Sequence, residues 1–430
     1  MHLYLYFSAA LTASAAYLPL DSRTDKPHAD IQEHMGDALT AATADRTAGI
    51  GAEFETPTLK LQHSGCSKAD TDKLKRVVIG AHKDTNWELT ADTTAHAGEL
   101  HAEYILDGTK IKVGSGAAAR AGAAIAKDFI DWSPWKHVND PIKVGTGTCN
   151  PWKLPGVRSD LQAEKVQWDA QVTVPMPLEA LYSLMRDQVQ EKNNGNILSN
   201  VETRTNGKKA GGTQNLVLVT KGFFKSKPNG IEEDKVTDDV LGFCSLVLSY
   251  AKNAGHLQPD ESPKKITSFM PRTEFGTIFK QVQSKIPGDL FDLFNTLACY
   301  KRSKTSANKI VTVIDKDFCS GTVSKPVPGT KLKNLEFKNS AKSVNIKTWI
   351  DGISAGTAAK DQLSVFDESI DGSIGGLKSA TEKVFNTQRQ VPLFEFRDLV
   401  EMPITSGFQK FMADVDEDVQ RLHKTYATAP

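Results

Sequence analysis

Charged residues in this chain fall at alternate positions inside short apolar runs. That period of two commits the runs to β-strands with one polar face. The runs are Gly49-Ile-Gly-Ala-Glu-Phe-Glu55, Asn86-Trp-Glu-Leu-Thr-Ala-Asp92, His101-Ala-Glu-Tyr-Ile-Leu106, Gln171-Val-Thr-Val-Pro175, Met270-Pro-Arg-Thr273 and Phe394-Glu-Phe-Arg-Asp398. Carboxylates converging on one sheet face make a site for a hard divalent cation, and arginines on the same face suit phosphate. The combination points to nucleotide chemistry without a P-loop, since no G-x-x-x-x-G-K-[ST] occurs.

Each candidate has a plainer reading. Glu53 and Glu55 flank Phe54 and share a strand face, where two adjacent negative charges repel unless a cation relieves them. The plainer reading is an edge strand with a solvated acidic face. Asp92 closes its strand, as a metal ligand or as a turn residue. Glu103 stands among Ala102, Tyr104 and Ile105, where a carboxylate is costly unless paired or metal-bound. Glu395 and Arg397 share a face around Phe396, either as a local pair or with Arg397 turned to phosphate. Arg272, after Met270-Pro271, is a phosphate ligand or half of a loop ion pair.

Bulk properties narrow the class. At 430 residues with 39% hydrophobic content the chain buries a real core, as one large domain or two. Lys plus Arg equals Asp plus Glu at 52 each, which argues against a nucleic-acid binder working by bulk charge. Residues 3–16 are apolar and end in small residues, the pattern of a secretory signal cleaved near Ala15 or Ala16. No run reaches the length of a membrane span. None of the five cysteines, Cys66, Cys149, Cys244, Cys299 and Cys319, has CxxC spacing. In a secreted chain four of them form two disulfides. Cys244, inside Val240-Leu-Gly-Phe-Cys-Ser-Leu-Val-Leu, reads as core.

The expected organisation is a signal over 1–16, a linker or propeptide over 17–48, a main domain over 49–415 and a tail over 416–430. Mobile insertions are expected near 204–238 and 320–345. Residues 49–61 are expected as a strand followed by a Pro-broken turn, and further strands over 87–94, 99–106, 168–174 and 390–399. Helices are expected over 117–130, 177–190, 236–253, 274–300 and 407–426. Strands mixed with helices at irregular spacing give an α+β class with an antiparallel sheet.

The order of these motifs resembles the amidoligase family, in the carboxylate-amine ligase and glutamine synthetase-like group. The resemblance covers roughly residues 49 to 400. Gly51-Ala-Glu-Phe-Glu55, Trp87-Glu-Leu-Thr-Ala-Asp92, Ala102-Glu103-Tyr104, Gln171-Val-Thr173, Arg272 and Glu395-Phe-Arg397 carry it in sequence. Two motifs depart: Gln171 and Thr173 stand where the family often shows His-x-His, and Thr93-Thr94 where it usually shows Gly-Ser. Both bear on substrate choice and on activity. The resemblance implies a sheet-lined, funnel-like cleft with helices on its outer face, binding ATP and Mg²⁺. A substrate carboxylate would be phosphorylated and an amine would then attack it. Glu53, Glu55, Glu103 and Asp92 would hold the metal, and Arg397 and Arg272 the phosphates. Glu395 would assist them, and Gln171 and Thr173 would face the substrate. The alternative is a secreted effector or binding protein, with a host-cell target, that keeps the scaffold without the reaction. An unrecognised hydrolytic Ser/His/Asp site is a third reading.

Overall fold

The computed structural model describes residues 47–427, apart from 95, 148, 159, 191–194, 200–215, 257–266, 307–308, 339–342 and 357–380. The expected signal, nearly all of the linker, the first part of the 204–238 insertion and the last residues of the tail lie outside the described residues. The chain divides into two compact units: Thr47–Val174 with Arg397–Arg421, and Pro175–Phe396 with Leu422–Pro430.

The first unit contains β1 (Gly51–Gln62), helix α1 (Lys68–Asp72), β2 (Val78–Lys83), β3 (Trp87–Thr93), β4 (Glu99–Leu106), α2 (Ala117–Trp132) and β5 (Gln167–Pro175). The second contains α3 (Leu178–Val189), α4 (Asp238–Asn253), β6 (Phe269–Pro271), α5 (Phe275–Lys280) and α6 (Leu290–Leu297). It continues with β7 (Tyr300–Lys304), β8 (Ile310–Ile314), β9 (Cys319–Thr322), β10 (Lys325–Pro328) and α7 (Lys331–Asn334). Then come β11 (Glu336–Lys338), β12 (Ser343–Asn345), α8 (Ile346–Ala355) and β13 (Thr381–Lys383). Strand β14 (Gln390–Pro403) and helix α9 (Ile404–Tyr426) complete the chain, and each contributes residues to both units.

The large sheet is antiparallel and open, in the order β13-β14-β5-β1-β4-β3-β2, with β6 also on β14. Strand β1 is central to the first unit, pairing β4 on one side and β5 on the other. It runs straight through Pro57, where a turn was expected. The β1–β4 register shifts between Glu55 and Lys60, so the ladder asks for no N–H at the proline.

One face of this part of the sheet is apolar. Phe54 stacks on Phe408 of α9 with ring centroids 4.0 Å apart, and Trp168 meets Phe129 of α2 at 5.1 Å and Phe408 at 5.7 Å. Such pairs add about 0.5–1.5 kcal/mol each beyond the area they bury. Gly122 lets α2 and α9 approach, since a Cβ there would lie 2.5 Å from the Phe408 carbonyl oxygen. With helices committed to that face, the alternate residues of β1, β3, β4 and β5 all point to the other one.

Two expected elements differ. The helix expected over 274–300 is two helices, because Pro287 and Gly288, at φ +82°, break it. Asp289 then caps α6, its side chain accepting from Asp292 N at 2.8 Å. The stretch 320–345 contains four strands and α7 rather than a loop. Strands of three or four residues are too short to display alternation. Disulfides join Cys66 to Cys149 and Cys299 to Cys319, and Cys244 is a free, buried thiol. That count and the core position of Cys244 match expectation, and two disulfides fit an oxidising compartment. Among the described residues no helix is long and apolar enough to cross a membrane.

Candidate metal centre

Register decides which polar residues meet. Glu55 stands opposite Glu103 of β4 and opposite Asp169 of β5. Glu53 stands opposite Gln171, Thr90 opposite Glu103, and Asp92 opposite His101. All therefore project from the polar face. Glu53, Glu55 and Glu103 each offer a carboxylate oxygen, and the three oxygens lie within 4.8 Å of one another. Glu53 is 3% exposed and Glu103 1%. The exposed edge-strand reading of these acids is thereby set aside.

Three carboxylates this close, two buried and Glu55 half-buried, cannot all stay ionised without compensation. Burial, above all, pushes Glu103 well above the usual carboxylate range, and Glu53, Glu55 and Asp92 add to the effect. Glu55 is raised to about 7, by burial first and by Asp92 second, against the opposing pull of Arg397. Glu55 and Glu103 stand opposite each other with carboxylate oxygens within 4.8 Å, where a proton shared between them would relieve the repulsion. A divalent cation solves the same problem in another way, and an all-oxygen donor set suits Mg²⁺ rather than a soft metal.

The neighbours fix the cluster's geometry. Gln171 Nε2 donates to Glu55 Oε1 at 2.7 Å, orienting that carboxylate. Arg397 is half-buried and acts electrostatically on Glu55. Thr173 is buried one pleat beyond Gln171, opposite Gly51. Asp92 stands outside the three-oxygen cluster among the described residues, although its charge is felt there. Its Oδ1 lies 3.6 Å from Lys75 Nζ. Arg272 and Glu395 belong to the second unit, as an ion pair at 3.8 Å with side chains 0% and 1% exposed. Glu395 faces Met270 of β6 across the ladder, which brings it beside Arg272.

Three polar residues beside the cluster carry no expectation from the sequence. His101 lies two residues before Glu103 on the same face, and burial lowers its pKa. Lys60 stands opposite His101 and binds Glu99 Oε1 at 3.2 Å. The period of two in β4 was the available signal for His101. Lys75, in a connection without periodicity, gave none. Comparison with protein-family models, with curated proteins and with solved structures yields no match to this chain.

Proposed function

We propose that this chain is a secreted, ATP- and Mg²⁺-dependent carboxylate-amine ligase that forms an amide through an acyl phosphate. The observation that carries the reading is the convergence of Glu53, Glu55 and Glu103 oxygens within 4.8 Å on one face of an antiparallel sheet. The order of the motifs along the chain supports it, and the two disulfides fit secretion.

In this reading Glu53, Glu55 and Glu103 hold Mg²⁺, which supplies charge neutralisation at the nucleotide phosphates. Arg397 meets phosphate oxygens with its planar fork. Gln171 holds Glu55 in place and, with Thr173, faces the substrate from β5. A substrate carboxylate oxygen takes the γ-phosphoryl group and ADP departs. An amine nitrogen then attacks the acyl carbon, phosphate departs and the nitrogen gives up a proton. Arg272 and Glu395, with side chains 0% and 1% exposed, pair with each other in the second unit.

The test is thermal unfolding with ATP, with Mg²⁺ and with both. Both together should raise the midpoint more than either alone, since a ligand at about 100 Kd adds about 2.7 kcal/mol. Glu53→Gln and Glu55→Gln should each abolish that gain while leaving the fold intact. Stabilisation by Mg²⁺ alone, indifferent to ATP, would move the reading to a cation-binding protein that keeps the scaffold without the reaction.

A further inference from the structure

Basic residues of the second unit crowd into one stretch. Residues 301–338 hold nine Lys or Arg against three Asp or Glu, in a chain where each class totals 52. Hairpins β7–β8 and β9–β10 carry much of this charge. Cys299, just ahead of β7, is bonded to Cys319, the first residue of β9, so the two hairpins are stapled at their bases. Asp315 N donates to Cys299 O at 2.6 Å, closing the base of the first hairpin, and Tyr300 Oη donates to Val323 O at 3.2 Å, tying the turn of the second hairpin to the start of the first.

The lysines on this platform are largely uncommitted. Lys301 pairs with Asp315 at 3.4 Å, and Lys331 lies over the Phe318 ring at 4.9 Å. Lys309, Lys316, Lys325, Lys333 and Lys338 are exposed, with no acidic partner among the described residues. Apolar exposure coincides with them. Ile130, Ile310 and Val327 are the exposed large hydrophobics among the described residues, and two of the three sit here. Ile310 is 39% exposed directly after Lys309, and Val327 is 57% exposed two residues after Lys325.

We propose that the stapled hairpins dock this protein on an anionic lipid bilayer. The lysine ammonium groups would meet headgroup phosphates, and Ile310 and Val327 would seat at the headgroup–acyl boundary. A nucleic acid fits less well. Phe318 and Phe337, the aromatics of the stretch, are both buried and offer no stacking surface for bases. A sulfated polysaccharide would use the lysines but gain nothing from exposed Ile310 and Val327. This surface is independent of the carboxylate cluster and of the reaction proposed for it.

The test is flotation of the full chain with phosphatidylcholine vesicles, alone or with about one-third phosphatidylserine. Binding should require the anionic lipid and vanish in about 1 M salt, where the Debye length is about 3 Å. Lys309→Gln with Lys325→Gln should weaken binding about 25-fold, at about fivefold per lysine. Ile310→Ser with Val327→Ser should weaken it several-fold at low salt, with the salt dependence unchanged. Lys68→Gln with Lys73→Gln, at the first residue and the C-cap of α1 in the first unit, should bind like the unaltered protein. Equal binding to neutral vesicles, unchanged binding by both hairpin variants, or capture by a sulfated polysaccharide with none by vesicles would each overturn the proposal.

Discussion

Replacing Glu55 by Gln in the cation-free protein should stabilise it at neutral and alkaline pH. The folded protein raises the Glu55 pKa from 4.5 to about 7, so it holds that proton more tightly than the unfolded chain does. For a carboxyl shifted upward, the stability it contributes is full below pH 4.5 and is lost as pH rises through about 7. At 1.36 kcal/mol per pKa unit the loss has a ceiling of about 3 kcal/mol. Glu55 is only half-buried, and solvent screening should bring the measured value to about 1–3 kcal/mol. Gln keeps an oxygen to accept from Gln171 Nε2 and carries no charge to repel Glu53, Glu103 or Asp92.

The assay is urea unfolding of both proteins in chelator across pH 5 to 8. The stability of Glu55→Gln minus that of the unaltered protein should rise through this range by about 1–3 kcal/mol, or about 2–4 °C per kcal/mol in Tm for a unit of this size. Taking the difference removes His101 and His423, whose lowered pKa values give slopes of the opposite sign. Adding Mg²⁺ at pH 8 should then stabilise the unaltered protein more than the variant. A variant less stable than the unaltered protein at pH 8, or a difference that does not change with pH, would refute the electrostatic account of the cluster.

Three further outcomes follow from features away from the cluster. His423 Nδ1 accepts from Phe385 N at 2.9 Å and its Nε2 faces Pro175 O at 2.7 Å, so the buried ring is neutral and its pKa is pulled to about 4, chiefly by burial. The protein should therefore lose about 3 kcal/mol as pH falls from 6.5 toward 4, and His423→Leu should lack that limb in acid unfolding curves. Gly122→Ala should cost about 1–3 kcal/mol in urea unfolding, because its Cβ would meet the Phe408 carbonyl at 2.5 Å. Iodoacetamide should label no cysteine in the native protein, one after unfolding and all five after reduction, as read by intact mass. Burial pushes the Cys244 thiol up and closes it to the reagent.

Parts of this architecture are written locally and parts are not. Glu53-Phe54-Glu55 states its own geometry, because a period of two can place Phe54 on helices only by placing both carboxylates on the opposite face. Glu103 was legible from its apolar neighbours. Their meeting is a matter of register: Glu55 faces Glu103 because β1 and β4 pair as they do, and a slip of one residue would put Tyr104 there instead. Nothing within either strand specifies that pairing. Asp92 has the same standing. Its ion-pair partner Lys75 lies in a connection whose course no periodicity reveals. Glu395 and Arg397 look like a local pair by spacing, whereas the approach of Glu395 to Arg272 at 3.8 Å depends on the short strand β6.

The register also explains why an arrangement this unfavourable can persist. Two of the three carboxylates occupy β1, whose intervening Phe54 stacks directly on Phe408. Sliding β1 to separate the acids would lift Phe54 out of that contact and turn the carboxylates toward α2 and α9. Burying a carboxylate among those rings costs more than crowding it beside two others that can share a proton or a cation. The apolar face thus holds the acids together against their own repulsion. It follows that weakening that face, as Gly122→Ala would, should loosen the cluster and, in the metal-site reading, lower Mg²⁺ affinity although the substituted residue lies on the far side of the sheet.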